Sequence, residues 1–325
     1  MRIGVVIPTY DQFAGGDLFR RIVAAIEDLG YDSAWFGDHI VFPGELPDYL
    51  DPCWLEAMSC AIHGLGLTSR LSFGTDVLVA PYRHPLTLAK MAATASVLAP
   101  GRLQLGLGIG WLEGEFTALG VPPFSARASV TEDYLKAMRA VLENDGPQSF
   151  AGDWVRFDNV QFAPKPDGPL PLLVGGNHAK AVRRAALLGD GWHPLFMTED
   201  DYARGRAEIE RLRAEHAITR PFTFSYSCSQ TRLLGEAASP APAHGDSVDE
   251  GSSYAPAYPR DAAGRMRFMG TAEQLREDCA AFARAGVEQL VLRFAVTRDQ
   301  TVDPAAYLNQ LAGFARDVLP FCRQL

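Results

Sequence analysis

Short runs of β-branched and other apolar residues alternate with longer segments of helical periodicity along nearly the whole chain. Strands that alternate with helices in this way are typical of βα units and a parallel sheet. Eight units over 325 residues predict a single-domain (βα)8 barrel, the TIM barrel, spanning residues 1–325. The eight predicted strands are Ile3 to Ile7, Ser33 to Phe36, Leu71 to Val79, Leu103 to Gly108, Leu172 to Val174, Gly191 to Pro194, Phe222 to Ser229 and Gln289 to Phe294.

The segments between these strands carry the signals of helices. Apolar residues recur at helical spacing between Leu18 and Leu29, as expected for one buried stripe of an amphipathic helix. Two pairs have the spacing of a capping box, which begins a helix: Thr271 with Gln274, and Ser129 with Glu132. We therefore expect helices to start at both places.

Two insertions interrupt the repeat. The segment from Phe150 to Pro169 follows the fourth strand and alternates aromatic with polar residues, which predicts a small β excursion. The segment from Glu236 to Arg267 adjoins the seventh strand and is rich in Ala, Pro, Ser and Gly. Long loops in a compact domain are often functional, so residues 236–267 are either a mobile lid or a solvated insertion.

Composition and charge exclude several classes of protein. The net charge is −9 and no polybasic run occurs, so nucleic acid is not an expected partner. The chain opens directly into a strand-like run and has no apolar stretch long enough to span a bilayer, which predicts a cytoplasmic protein. No two histidines have ligand spacing and no carboxylates cluster at one strand end, so no metal is expected.

Candidate chemistry lies at the carboxyl ends of the strands, where the active site of a parallel barrel gathers. His39 follows the second strand, where its imidazole can exchange a proton while Asp38 orients it, although a structural histidine fits the position as well. Tyr10, Trp192 and His193 also follow strands and are candidate substrate contacts.

Glycines mark two further strand ends. The segment Gly106 to Trp111, GLGIGW, has glycines at alternate positions, which allow a flat ring to approach the backbone or form a bulge. Gly175, Gly176 and Asn177 precede a helix that begins near Ala179. Free N–H groups at such a terminus bind phosphate, and a tight turn explains the glycines equally.

These segments resemble the luciferase-like monooxygenases, and within them the branch that uses the deazaflavin F420. The resemblance covers almost the whole chain and rests on SAWFGDH, GTDVLVAPYRHP, GRLQLGLGIGWLEGEFTALGV, PLLVGGN and AALLGDGWHP. It implies a cofactor ring in the barrel mouth, a phosphate near Gly175 to Asn177, and His39 close to the reactive ring carbon. It also implies a non-prolyl cis peptide bond between Asp76 and Val77.

The resemblance assigns the site residues and the reaction. Hydride transfer between F420 and a small organic substrate is expected, with His39 handling a proton. Glu113 and Glu115 follow Trp111 by two and four residues and are candidate acids, with Glu113 the first choice, although carboxylates on a helical turn face solvent or cap a helix equally well. A departure is Trp111, because relatives that oxidise sugar phosphates carry glutamate there. The residues expected to contact the cofactor are Asp38, His39, Asp76, Val77, Gly108, Gly110, Trp111, Gly175, Gly176 and Asn177.

Two other functions remain open from the sequence. One is a monooxygenase in which reduced FMN reacts with oxygen, because the same pocket shape hosts either cofactor. The other is a barrel that binds a flavin without turnover, since a fold alone does not define a function. Relatives are commonly dimers, so the resemblance implies a homodimer.

Overall fold

The computed structural model describes residues 1–44, 52–235, 258–294 and 304–325. Its strands are β1 (Arg2–Val6), β2 (Ser33–Phe36), β3 (Ser72–Thr75), β4 (Leu78–Val79), β5 (Leu103–Gly108), β6 (Gln148–Ala151), β7 (Arg156–Val160), β8 (Leu172–Gly175), β9 (Gly191–His193), β10 (Thr223–Leu233), β11 (Met269–Gly270) and β12 (Gln289–Phe294). Its helices are α1 (Gly16–Asp28), α2 (Ala57–Leu67), α3 (Pro85–Leu98), α4 (Glu113–Leu119), α5 (Arg127–Glu143), α6 (Ala179–Leu188), α7 (Glu199–Glu215), α8 (Ala272–Arg284), α9 (Pro304–Asp317) and α10 (Leu319–Cys322).

Eight parallel strands close into a barrel. Their order around it is β1, β2, β3, β5, β8, β9, β10 and β12, and β12 pairs with β1 to complete the ring. The predicted (βα)8 barrel is therefore confirmed. Most of the lid candidate, residues 236–257, lies outside the described residues. In the described ranges, no helix is long and apolar enough to cross a membrane.

Successive side chains along each strand point alternately into the barrel and out toward the helices, which produces a small interior cluster and a large outer core. Val6, Trp35, Leu173 and Val291 point inward from four strands and form one cluster. The intervening residues point outward and pack under the helices in the main core. A Cβ atom on Gly74 would lie 2.4 Å from the Trp35 ring, so this glycine leaves room for the largest interior side chain.

The third predicted strand, Leu71 to Val79, is interrupted. Its two halves, β3 and β4, flank a cis peptide bond between Asp76 and Val77, which confirms the bond that the family resemblance implied. Both halves pair with β5, so the strand keeps its place in the barrel. The interruption turns Asp76 and Val77 toward the mouth, where predicted site residues gather.

The expected β excursion and one of the two capping boxes are confirmed. β6 and β7 form an antiparallel hairpin after the fourth barrel strand, and Thr271 forms the predicted capping box with Gln274. The second box is wrong, because α5 begins at Arg127 and Ser129 lies within its first turn. There the Ser129 hydroxyl donates to the Ala126 carbonyl and accepts from the Trp154 indole N–H, instead of capping the backbone of α5.

Candidate active site

His39 lies at the end of β2 in an aromatic surround. Its side chain is 10% exposed, and its ring centroid lies 4.8 Å from that of Phe42, 4.8 Å from that of Trp54 and 6.0 Å from that of Trp111. The rings of Trp54 and Trp111 both meet the imidazole edge-on. This surround limits the water that reaches the imidazole without sealing it from the mouth.

The partner of His39 is Glu115. His39 Nδ1 lies 2.9 Å from Glu115 Oε2, and the same carboxylate accepts from Ile40 N at 2.8 Å and from the Tyr82 hydroxyl at 2.9 Å. Glu115 is fully buried, and a buried carboxylate needs such donors. A carboxylate is an acceptor only, so the proton on Nδ1 points to it and Nε2 is the nitrogen available for chemistry.

Glu113, predicted to handle protons, lies elsewhere. It is the first residue of α4 and is exposed, whereas Glu115 is buried. Successive helical residues are rotated by about 100°, so these two carboxylates lie roughly 200° apart around the axis. The structure therefore brings Glu115, the second acidic candidate, to His39 and leaves Glu113 in solvent.

Asp38 does not orient His39, contrary to the prediction. Its carboxylate accepts two hydrogen bonds from Arg83, at 2.8 and 2.7 Å, and one from Val79 N at 2.9 Å. Arg83 also contacts Glu56 at 2.6 Å. Burial alone would lower the pKa of Arg83, but the bonds to Asp38 and the charge of Glu56 outweigh it and raise the pKa. Asp38 thus joins the end of β2 to the start of α3.

Asp76 spans the top of the barrel interior. One carboxylate oxygen lies 3.0 Å from His193 Nε2 on β9, and the other accepts from Arg293 Nη2 on β12 at 2.6 Å. Burial would raise the pKa of Asp76, but the hydrogen bond from His193 and the charge of Arg293 outweigh it and lower the pKa. Asp76 is therefore an ionised group that connects three strands at the base of the mouth.

The alternate glycines of β5 accommodate Val77 and its neighbouring backbone. A Cβ atom on Gly108 would lie 2.5 Å from Val77 Cγ2, and one on Gly106 would lie 2.0 Å from the Thr75 carbonyl oxygen. Gly110 has a φ of +80°, which glycine adopts most readily. The sequence left two explanations for these glycines, the approach of a flat ring or a bulge. The structure shows that the β3–β4 bulge packs closely against them.

The predicted phosphate site lies at a helix N-terminus that no side chain of the described residues caps. Gly176 has a φ of +102° and turns the chain into α6, whose N-cap residue His178 forms no capping bond through its side chain. Asn177 donates to the Leu195 carbonyl at 3.2 Å. Side chains cap α2, α3, α7 and α8, whereas α1, α4, α5 and α10 share the uncapped N-terminus of α6. The Ala181 N–H donates to the His178 carbonyl at 2.8 Å, which leaves the N–H groups of Ala179 and Lys180 without an acceptor among the described residues. With the exposed Lys180 side chain, these two groups suit an anion.

The three predicted substrate contacts occupy different places. Tyr10 stacks on Trp54 with ring centroids 4.5 Å apart, beside His39. Trp192 points outward: it is fully buried, donates to the Gly176 carbonyl at 2.8 Å and stacks on Tyr202 of α7. Trp192 is thus a packing residue, and its expected contact with substrate is without support.

His193 points inward but lies below the mouth. It is fully buried, with Ser225 on Nδ1 at 2.7 Å and Asp76 on Nε2 at 3.0 Å, and its ring stacks on Trp35. Both ring nitrogens are thus occupied by protein atoms. His193 holds Asp76 in place instead of meeting a substrate directly.

Sequence reasoning missed several residues of this site, among them Trp54, Tyr82 and Arg293. Trp54 lies in a connecting segment and Tyr82 in a short helical turn, so neither follows a strand directly. Arg293 had a signal, because it is the one charged residue in the strand QLVLRF and shares the alternation of Gln289 and Val291. A charged residue on the inner face of a barrel strand needs a partner, and here the partner is Asp76.

Comparisons with known proteins agree with this architecture. An F420-dependent glucose-6-phosphate dehydrogenase of Amycolatopsis mediterranei is 29% identical over 189 residues, 56% of this chain and 54% of that protein. An FMNH2-dependent dimethylsulfone monooxygenase of Pseudomonas fluorescens is 31% identical over 156 residues, 47% of this chain and 41% of that protein.

A solved structure shares the whole fold. An F420-dependent secondary alcohol dehydrogenase, in complex with an F420-acetone adduct, superposes with a TM-score of 0.79 over 99% of both chains at 20% identity. The family model of the luciferase-like monooxygenases matches residues 1–289. This match and the named relatives show that the chain is an oxidoreductase that belongs to the luciferase-like monooxygenase family.

Proposed function

We propose that this protein is an F420-dependent oxidoreductase that transfers a hydride to or from a small organic substrate. The observation that carries the proposal is the pairing of His39 with the buried Glu115 at the end of β2. An imidazole held through Nδ1 keeps Nε2 for proton exchange with a bound molecule. F420-dependent proteins occur among both the sequence relatives and the solved structures, as FMN-dependent ones do, and they support this choice of cofactor.

The residues present fit such a cofactor. The first turn of α6, after Gly175, Gly176 and Asn177, offers uncapped N–H groups for its phosphate. Thr9, at the end of β1, has a buried hydroxyl oxygen that lacks a protein partner among the described residues, and such an atom suits a polar ligand group. When bound, the deazaflavin supplies two-electron hydride chemistry without activating oxygen.

The side chains of this site perform the remaining tasks. Glu115 fixes the tautomer of His39, so that Nε2 holds or releases the proton that accompanies hydride transfer. The rings of Phe42, Trp54 and Trp111 surround the imidazole and limit the water that reaches it. Exclusion of water strengthens the electrostatic contact between His39 and Glu115.

A reduced-FMN monooxygenase is the second candidate. It is favoured by the match to the FMNH2-dependent monooxygenase. The same uncapped turn of α6 suits the phosphate of FMN, so this turn does not separate the two cofactors.

Titration of the purified protein with each cofactor tests the choice. Oxidised F420 and, under anaerobic conditions, reduced FMN are added separately, and affinity is measured from absorbance and fluorescence changes. We expect F420 to bind at least tenfold more tightly. Tighter binding of reduced FMN, together with oxygen consumption when substrate is added, would contradict the F420 proposal and support the monooxygenase. Binding of neither cofactor would contradict both proposals.

A further inference from the structure

The end of β12 places an arginine in the mouth of the barrel. Val291 points inward and belongs to the central cluster with Val6, Trp35 and Leu173. Side chains two residues apart on a strand lie on the same face. Arg293 therefore points inward as well, one layer above Val291 and nearer the carboxyl ends of the strands.

The guanidinium of Arg293 is held at one end. Its Nη2 donates to Asp76 Oδ2 at 2.6 Å, and the other oxygen of Asp76 is held by His193 at 3.0 Å. His193 is fixed in turn by Ser225 at 2.7 Å. This buried chain orients the guanidinium before any ligand arrives, and preorganised donors bind more strongly than mobile ones.

The rest of the guanidinium faces the mouth. The side chain of Arg293 is 31% exposed, whereas that of Asp76 is 5% exposed. Within the described ranges, the hydrogen bond of the Arg293 side chain goes to Asp76 alone. Its Nη1 and Nε donors remain for a ligand, and pockets use a few such convergent donors to orient what they bind.

An aromatic wall, formed by Tyr10, Phe42, Trp54 and Trp111, surrounds His39 in the segments that follow the strands. Tyr10 follows β1, which pairs with β12. Val5 of β1 lies opposite Leu292 of β12, so the chain that leaves β1 toward Tyr10 starts beside Arg293. The donors of Arg293 therefore lie at the same end of the barrel as a surface suited to apolar groups.

The charges around Arg293 decide whether it suits a carboxylate or a carbonyl oxygen of a ligand. Arg293 and Asp76 together are neutral, so a carboxylate bound to Arg293 would be repelled by Asp76, in a site that already holds the Glu115 carboxylate. A carbonyl oxygen accepts from Nη1 or Nε without that repulsion. We propose that Arg293 binds the carbonyl oxygen of a neutral substrate, whose hydrocarbon part packs against the aromatic wall.

This inference rests on the proposed function, for which it names a substrate class. In the reducing direction, the hydride from reduced deazaflavin forms a bond to the carbonyl carbon, and the π electron pair of the carbonyl moves to its oxygen. The proton that completes the hydroxyl comes from His39. Arg293 donates to the oxygen on which charge develops, which is the arrangement that stabilises such a transition state.

Three six-membered-ring probes test the choice of oxygen: cyclohexanone, methylenecyclohexane and cyclohexanecarboxylate. Binding to the full chain is measured by saturation-transfer NMR, with and without oxidised F420, which cannot donate a hydride. We expect cyclohexanone to bind at least tenfold more tightly than either of the others. Equal binding of cyclohexanone and methylenecyclohexane, or tighter binding of the carboxylate, would overturn the proposal.

Variants then assign the effect to Arg293. Arg293→Met should weaken cyclohexanone binding at least tenfold and change methylenecyclohexane binding less than twofold. Arg2→Met is the matched control, because Arg2 is exposed at the start of β1, at the opposite end of the barrel. If Arg293→Met leaves Asp76 unpaired and fails to fold, Asp76→Asn/Arg293→Met removes both charges. Retained preference for cyclohexanone in either variant would overturn the assignment.

The NMR measurement needs no signal from the cofactor, so two failures remain distinguishable. Absence of F420 binding contradicts the proposed function, and absence of a carbonyl preference contradicts the role of Arg293.

Discussion

Glu115 is the residue on which the geometry of the candidate site depends most. Its carboxylate has no exposed surface and is held by the side chains of His39 and Tyr82 and by the backbone N–H groups of Ile40 and Val41. One group therefore fixes both the imidazole and the chain that follows β2. Its role is positioning, because the structure places His39 between Glu115 and the mouth.

Substitution of Glu115 separates positioning from folding. Glu115→Gln keeps the shape but removes the charge that holds the Nδ1 proton of His39, and a misplaced catalytic group costs about 10²-fold in rate. We expect kcat to fall by about that factor, with cofactor affinity within threefold of wild type. His39→Ala, which removes the proton-handling group itself, should lower kcat by about 10² to 10⁴-fold.

The measurement is saturated turnover, cofactor affinity and thermal stability on one preparation of each variant. Glu113→Gln is the matched control, since Glu113 is exposed two residues away. A purely structural Glu115 would lower stability and leave kcat per folded molecule unchanged. Near-normal turnover of His39→Ala at cofactor saturation would contradict proton handling by His39.

At the scale of elements, the strands were predictable because each carries a buried apolar run bounded by turn residues. Ser33–Phe36, Leu103–Gly108 and Gln289–Phe294 match their predicted bounds. The split of Leu71 to Val79 was not visible in the apolar pattern, which continues through it, and came only from the family resemblance. Local pattern therefore locates strands but not the interruptions that tertiary contacts produce.

Site residues were predictable to the extent that they follow strands. His39, Asp76 and Gly176 lie where the barrel rule places them. The choice between Glu113 and Glu115 depends on the rotation of α4 against β2, and no local spacing contains that information. Partners that meet only across the barrel require the folded chain.

The bulge between β3 and β4 and the glycines of β5 form one packed unit. Gly108→Ala would place a Cβ atom 2.5 Å from Val77 Cγ2, with no other atom nearer than Val77 Cβ at 3.7 Å. Overpacking of this kind costs about 1–3 kcal/mol of unfolding free energy. We expect that loss in denaturant unfolding, and we expect Val77→Ala in the same chain to relieve most of it.

The matched comparison is Gly108→Ala in the wild-type and Val77→Ala backgrounds. An equal loss in both backgrounds would show that Gly108 is required for a reason other than Val77.

The turn into α6 gives a second prediction at this scale. Gly176→Asp adds a negative charge beside the uncapped N–H groups that we expect to bind phosphate. We expect at least a tenfold larger loss of F420 affinity for Gly176→Asp than for Gly176→Ala, which shares the strained φ but adds no charge. Titration of the folded variants by fluorescence measures this difference.

Gly146→Asp is the control, because Gly146 also has a positive φ, has open space around it and precedes β6, away from the barrel mouth. Equal affinities of Gly176→Asp and wild type would place the phosphate elsewhere.

At the scale of the whole molecule, polar side chains link strands across the barrel interior. Gln104 on β5 lies within hydrogen-bond distance of Gln289 on β12, which donates to Ser225 on β10. From Ser225 the chain of contacts continues through His193 to Asp76. The interior is thus connected from a lower layer of the barrel to its mouth, and Asp76 is its ionised member.

Asp76 should make barrel stability depend on pH. Its pKa is lowered in the folded chain, whereas the pKa of an aspartate in an unfolded chain is about 3.9. A group with a depressed folded pKa stabilises fully above its unfolded value, and this contribution is lost as the pH falls through the folded value. Asp76→Asn should therefore be less stable than wild type at neutral pH, and the difference should shrink below about pH 4.

Denaturant unfolding of both proteins across this range measures the difference. The other acidic groups are the same in the two chains, so their contributions to the difference in unfolding free energy cancel. Asp153→Asn, an exposed substitution beside the β6–β7 hairpin, should differ from wild type by a constant amount over the same range. A constant difference for Asp76→Asn as well would mean that the contacts with His193 and Arg293 do not stabilise the ionised carboxylate, and that Asp76 acts through packing alone.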